Sequence, residues 1–120
     1  MVATRVLLLY QDSLLSQGIV SLLREHAGVH VEARRLADGG LHQFIEEFQP
    51  EVIIVDREEL ARNTPVTIDQ LLREQRQVRI IDISADNDLA RVYEGHQVRV
   101  ARFDDLLATL GADPRWTRRG

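Results

Sequence analysis

Near its middle the chain reads Pro50-Glu51-Val52-Ile53-Ile54-Val55-Asp56, and this segment determines the fold that we predict. Its four consecutive β-branched apolar residues predict a strand buried on both faces, because a half-solvated strand alternates apolar and polar residues. A strand of this kind belongs at the centre of a parallel sheet that helices cover. Its last residue, Asp56, is then predicted at the carboxyl end of the strand, where open α/β sheets place their ligand crevices.

Outward from this segment, strand-like and helix-like patterns alternate along the chain. Apolar or alternating runs predict the other strands, at residues 5–10, 29–33, 78–83 and 98–101, the second of them at a sheet edge. Amphipathic runs predict helices at residues 13–27, 41–48, 65–75, 89–93 and 104–110, with a polar loop at 57–63. We therefore predict an α/β fold with a doubly wound, five-stranded parallel sheet in the flavodoxin-like order 2-1-3-4-5. Residues 1–110 form this domain, and residues 111–120 are a tail or the start of a linker.

The composition narrows the functions that this chain can have. Its 120 residues suffice for one domain, and the absence of cysteine excludes disulfides, thiolate catalysis and cysteine-ligated metal sites. All 15 basic residues are arginine, which excludes any mechanism that needs a lysine ammonium. The net charge is −4 without a basic stripe, and no apolar run could span a bilayer, so we expect neither nucleic-acid nor membrane binding. No secretion leader is recognisable, and we expect a cytoplasmic location.

Four segments of the chain resemble those of a known family, the receiver domain of bacterial two-component response regulators. They are Val6–Ile19 (VLLLYQDSLLSQGI), Leu36–Gly39 (LADG), Pro50–Asp56 (PEVIIVD) and Ile80–Ala85 (IIDISA). The resemblance covers residues 5–110 and is strongest to receivers that carry a helix-turn-helix output domain. It implies the flavodoxin-like receiver fold and a signalling role through a protein partner, an attached output domain or a second copy of the chain.

The resemblance also implies which residues would carry chemistry. In active receivers an aspartate at the end of strand 3 attacks a phosphoryl donor, and Mg²⁺ held by an acidic pair after strand 1 brings the two anions together. A Ser or Thr ending strand 4 then bonds the phosphoryl group, and a lysine ending strand 5 neutralises its charge. In this chain Asp56 matches the phosphoacceptor, and Ser84 matches the hydroxyl.

The other positions depart from the family's pattern. Tyr10 and Gln11 stand where the acidic pair is expected, and Asp12 falls one place later. The lysine position falls at Arg102 or Phe103, and a planar guanidinium does not reproduce the compact charge of an ammonium. At most one carboxylate of the acidic pair therefore remains, and the cation that would neutralise a phosphoryl group is altered.

The candidate residues also have purely structural interpretations. Asp56 can cap the segment that follows its strand, and Asp12 can be the N-cap of the first helix. Ser84 can be an ordinary hydroxyl between a strand and a loop. For each of these three residues, the sequence is compatible with a structural role and with a chemical role.

Asp82 is unusual because it lies within the fourth predicted strand, where both faces should be apolar. A buried carboxylate needs a partner, since taking it out of water alone is costly. We predict that Arg99 or Arg102, on the adjacent predicted strand, pairs with it. This ion pair would either be purely structural or belong to a pocket whose residues differ from those of the family.

We predict a pseudo-receiver, a non-catalytic signalling domain that acts through protein–protein contacts and controls an attached DNA-binding output domain or forms a homodimer. On this hypothesis it is not an enzyme and needs no cofactor or metal. The alternative is a functional receiver that a histidine kinase phosphorylates on Asp56, with Mg²⁺ in an atypical site that includes Asp12 and Asp56. A small-molecule or nucleotide binder is a third hypothesis with only the fold in its favour, because residues 11–15 provide no glycine-rich or hydroxyl-rich phosphate cradle.

Overall fold

The computed structural model describes residues 4–10, 13–25, 28–74, 77–83, 89–95, 97–102 and 105–106, without the side chains of residues 13–16. The chain has an α/β fold, as predicted. Its strands are β1 (Thr4–Tyr10), β2 (Val29–Arg35), β3 (Val52–Val55), β4 (Arg79–Asp82), β5 (Leu89–Glu94) and β6 (Gln97–Arg102). Its α-helices are α1 (Ser13–Arg24), α2 (Leu41–Phe48), α3 (Arg57–Asn63) and α4 (Ile68–Glu74), and a 3-10 turn spans Leu36–Asp38.

The strands of the described residues form one mixed sheet in the order β2-β1-β3-β4-β5-β6. β1 pairs in parallel with β2 and β3, and β3 pairs in parallel with β4. β5 is antiparallel to both of its neighbours, β4 and β6, so it alone in this sheet runs in the opposite direction. The predicted sheet of five parallel strands is therefore wrong in the number of strands and in the direction of one of them.

The error lies in the segment after β4. The helix predicted at residues 89–93 is strand β5, along which Ala90 and Val92 are fully buried while Leu89 and Arg91 are exposed, the two-residue period of a strand. Only residues 83–88 separate β4 from β5, and a parallel neighbour would need a crossover of a dozen or more residues. The short connection therefore makes β5 return antiparallel.

Helices cover both faces of the parallel strands. α1 packs on one face through Ile19 and Leu23, whereas α2, α3 and α4 pack on the other through side chains such as Ile45, Leu60 and Leu71. The four residues of β3 are all fully buried, which confirms the prediction of a strand covered on both sides. The carboxyl ends of β1, β3 and β4 thus form a fixed edge on which polar groups can be placed.

Two further local predictions are corrected by the structure. Residues 57–63, predicted as a polar loop, form α3, which begins immediately after β3. The helix predicted at residues 65–75 begins instead at Ile68, because the hydroxyl of Thr67 accepts a hydrogen bond from the N–H of Gln70 (3.1 Å). None of the described helices is long and apolar enough to cross a membrane.

Candidate functional site

Asp56 lies at the carboxyl end of β3, and its carboxylate caps α3. Oxygen Oδ1 accepts hydrogen bonds from the backbone N–H groups of Glu58 (2.9 Å) and Glu59 (3.4 Å). The first N–H groups of a helix have no partner within it, so a carboxylate here satisfies them and interacts favourably with the helix dipole. Asp56 is therefore the N-cap of α3. The sequence predicts a capping role for Asp56 as one of its two interpretations, but on a loop and not on a helix.

Two more carboxylates follow in the first turn of α3, on Glu58 and Glu59. Arg62 binds both of them, with Nη1 2.6 Å from Oε1 of Glu59 and Nη2 3.4 Å from Oε2 of Glu58. Together with Asp56, the start of α3 carries three carboxylates and the two guanidinium groups of Arg57 and Arg62. The local charge beside Asp56 is therefore negative, which disfavours the approach of a phosphoryl group.

Asp82, the last residue of β4, is fully buried beside the end of β3. Its Oδ1 accepts a hydrogen bond from the backbone N–H of Arg57 (3.0 Å). Its Oδ2 lies 3.9 Å from Nε of Arg57 and 3.9 Å from Nη1 of Arg91. Arg57 also lies over the ring of Tyr93, 5.4 Å from the ring centre. These four residues form what we call the Asp82 cluster, in which two guanidinium groups compensate a carboxylate that burial would otherwise destabilise.

The arginines of the Asp82 cluster are not the ones that we predict from the sequence. Arg99 and Arg102 belong to β6, whereas the strand adjacent to β4 is β5, where Arg91 stands directly opposite Asp82. Arg91 would have been found if the alternation of residues 89–94 had been interpreted as a strand. Arg57 has no such signal in the sequence, because its contact depends on how α3 starts.

The other candidates do not gather around Asp56 in the part of the chain that the structure describes. Asp12 and Ser84 lie outside the described residues. Arg102 ends β6 at the same edge of the sheet as Asp56, but β4 and β5 lie between. At a strand spacing of about 4.8 Å, the two positions are roughly 14 Å apart across the sheet. Over the described ranges, no group of three or more His, Cys, Asp or Glu side chains is placed to hold a metal ion.

In comparisons with known proteins, the chain matches no family model, no curated protein and no solved structure. The candidate chemical groups lie at the carboxyl edge of the sheet. There, Asp56 caps a helix and Asp82 is held by two arginines.

Proposed function

We propose that this domain is a pseudo-receiver, a non-catalytic signalling module that acts through protein–protein contacts and controls an attached DNA-binding output domain. The capping role of Asp56 carries this proposal. By its resemblance to receivers, Asp56 stands at the phosphoacceptor position, yet its Oδ1 accepts two backbone hydrogen bonds at the start of α3. An attack by Oδ1 on a phosphoryl donor would remove the cap from the helix, so only Oδ2 could react without loss of the cap.

The arrangement of cations supports the same conclusion. Phosphoryl transfer to a carboxylate brings anions together, so it needs cations that can bind the incoming group. At the carboxyl edge, Arg57 and Arg91 lie against the buried carboxylate of Asp82. Arg102, which falls at the position of the family's lysine, is separated from β3 by two strands.

The surface that best fits a protein partner is formed by β5 and β6. Leu89, Val98 and Val100 lie on the same face of this hairpin and are 42%, 57% and 59% exposed. We call these three residues the β5–β6 surface. β6 is also the last strand of the described sheet, and exposed edge strands are sites where another chain can pair. An apolar patch beside such an edge is typical of a protein-binding surface.

On this proposal, the domain does not accept a phosphoryl group on Asp56. We expect the intact mass to stay unchanged after incubation with acetyl phosphate or phosphoramidate and Mg²⁺, both for the natural chain and for Asp56→Asn. An active receiver domain treated in parallel shows that the reagents are competent.

A base-labile mass gain of one phosphoryl group that is lost in Asp56→Asn would overturn the proposal. It would support the alternative in which a histidine kinase phosphorylates Asp56. Mg²⁺ would then bind an atypical site that includes Asp12 and Asp56, and repeating the reaction with a chelator would show whether the metal is required.

A further inference from the structure

The sheet has a second edge strand, β2, at the end opposite the hairpin. In the described sheet β2 pairs with β1 alone, so one side of its backbone has no strand beside it. Its residues His30, Glu32, Ala33 and Arg35 are exposed. Another chain can add a strand to an exposed edge of this kind. β2 is therefore a second surface at which a protein can bind, separate from the β5–β6 surface.

The register of β1 and β2 shows which backbone groups of β2 face outward. The N–H of Thr4 donates to the carbonyl oxygen of Gly28 (2.7 Å), and Thr4 stands beside Val29 in the parallel register. In a parallel pair, a residue bonds the two residues that flank its partner, so residues 28, 30, 32 and 34 bond β1. The backbone N–H and C=O groups of residues 29, 31, 33 and 35 therefore point away from the sheet and can bond another strand.

The side chains of β2 carry a charge pattern that is complementary to itself. Glu32 and Arg34 stand beside Leu7 and Leu9 of β1, so both lie on the face that α2 covers. If two copies of β2 pair antiparallel with Ala33 opposite Ala33, each Glu32 lies opposite Arg34 of the other copy. Opposite charges at facing positions stabilise a strand pair, whereas like charges destabilise it. A pairing centred on Glu32 would bring two carboxylates together, so charge favours the pairing centred on Ala33.

Glu32 and Arg34 both have atoms left for such an ion pair. Oε1 of Glu32 lies 3.3 Å from Nε2 of His30, and Nη2 of Arg34 donates to the carbonyl oxygen of Gly39 (3.2 Å). Among the described residues, neither Oε2 of Glu32 nor Nη1 of Arg34 has a hydrogen-bond or ion-pair partner. Unlike Nε of the same side chain, this Nη1 is not fully buried. An ion pair between two copies can therefore form without loss of the contacts inside each copy.

The edge is also sterically open at Ala33. This residue lies on the face that α1 covers, and an open groove of about 630 Å³ between α1 and β2 is lined by Val20, Ser21 and Ala33. α1 therefore does not overhang the edge at this point. We infer that β2 pairs antiparallel with β2 of a second copy around a two-fold axis at Ala33. The pair is held by backbone hydrogen bonds and by two reciprocal ion pairs between Glu32 and Arg34.

This pairing differs from association through the β5–β6 surface. The two edges lie at opposite ends of the sheet, so one copy can use both at once. In the described sheet, large apolar side chains are exposed on β5 and β6 but not on β2. Pairing through β2 therefore buries less apolar surface, and it needs a higher protein concentration than pairing through the β5–β6 surface. It does not depend on whether Asp56 is phosphorylated.

Single cysteines can test the register, because the chain itself has no cysteine. In Ala33→Cys the two Cα atoms of residue 33 would be about 5.5 Å apart, a distance that a disulfide can span. Arg35→Cys, on the same strand and face, is the matched control, because its two Cα atoms would be roughly 14 Å apart. After oxidation with diamide, we expect a covalent dimer of Ala33→Cys to form about tenfold faster than that of Arg35→Cys on non-reducing gels. Equal rates would overturn the inference.

Charge reversal tests the two ion pairs. Glu32→Arg, added to Ala33→Cys, puts a guanidinium opposite Arg34 and should slow cross-linking about tenfold. Adding Arg34→Glu as well exchanges the two charges and should restore the rate. An unchanged rate in the first variant contradicts the inference, as does a lack of recovery in the second when thermal unfolding shows that it is folded.

Sodium chloride gives the same test without Arg34→Glu, in case that substitution prevents folding. Screening should slow the cross-linking of Ala33→Cys, whose facing charges attract. It should speed the cross-linking of the variant that also carries Glu32→Arg, whose facing charges repel. Equal responses of the two variants to salt would mean that Glu32 and Arg34 do not meet, and the inference would be wrong.

Discussion

The parallel strands β1–β4 and the β5–β6 hairpin are built from similar apolar residues but differ in how they are covered. In the parallel part Ile53 and Ile54 are completely buried, whereas in the hairpin Val98 and Val100 are more than half exposed. The connections explain this difference. A parallel neighbour needs a long crossover, which brings a covering helix, while an antiparallel neighbour needs only a turn and brings none. Among the described residues, one face of the hairpin is therefore left without a covering helix, at Leu89, Val98 and Val100.

The Asp82 cluster lies where these two regions meet. β4 pairs with β3 on one side and with β5 on the other. Arg57, which follows β3, and Arg91, on β5, therefore both reach the carboxylate of Asp82. The hairpin is thus joined to the parallel part by a buried charge as well as by strand pairing. The guanidinium groups of Arg57 and Arg91 are thereby both engaged with Asp82.

Substitutions in the parallel part and in the hairpin should show the largest difference in the free energy of unfolding. Ile53→Ala removes fully buried methylene and methyl groups and is expected to lower the free energy of unfolding by about 2–5 kcal/mol. Val100→Ala, on the exposed face of the hairpin, should lower it by about 0.5 kcal/mol or less. Urea unfolding followed by circular dichroism measures both. Equal losses, measured at a concentration at which the chain is monomeric, would mean that Val100 is buried in the monomer itself, and the contrast between the two regions would be removed.

Substitutions of Asp82 should have an intermediate effect on the free energy of unfolding. Comparing two of them separates the contribution of the hydrogen bond from that of the charge. Asp82→Ala leaves the N–H of Arg57 without the acceptor that Oδ1 provides, so we expect a loss of about 2 kcal/mol. Asp82→Asn keeps an oxygen for this N–H and should lose about half as much. Arg73→Ala, on α4, is the control. If Asn and Ala have the same effect in urea unfolding, charge rather than hydrogen bonding holds the hairpin to the parallel strands.

The cap at Asp56 should contribute less, because it acts on one helix of the parallel part. Asp56→Ala removes the acceptor for two N–H groups and should cost about 1 kcal/mol, while Asp56→Asn keeps a capping oxygen and should cost a few tenths. Glu46→Ala, at an exposed position of α2, is a control for loss of a carboxylate. An unchanged unfolding midpoint in Asp56→Ala would show that the carboxylate is not needed for α3 and is free for other chemistry.

The two regions also differ in how far the sequence predicts them. The continuous apolar run at Val52–Val55 has only one reasonable interpretation, and the structure confirms it. Leu89, Val92 and Tyr93 have helical spacing, whereas Ala90 and Val92 have strand spacing, so local pattern alone cannot decide the segment. The length of the connection after β4 decides it, and that is a property of the whole sheet.

The candidate site was predictable only in part, for a related reason. The position of Asp56 at a strand end follows from the apolar run before it, but its cap depends on whether residues 57–63 form a helix. The pairing of Asp82 with Arg91 depends on the direction of β5.

The β5–β6 surface should show the smallest effect on stability and a clear effect on association. Val98→Glu places a charge on an exposed edge strand, so it should change the free energy of unfolding of the monomer by about 0.5 kcal/mol or less. Charged residues on edge strands oppose pairing with another chain. We therefore expect sedimentation velocity to show a concentration-dependent dimer of the natural chain that Val98→Glu abolishes. Leu22→Glu, at a 44% exposed position of α1, should keep the dimer. A natural chain that stays monomeric would exclude a second copy as the partner of the hairpin and leave the open face to an output domain or another protein.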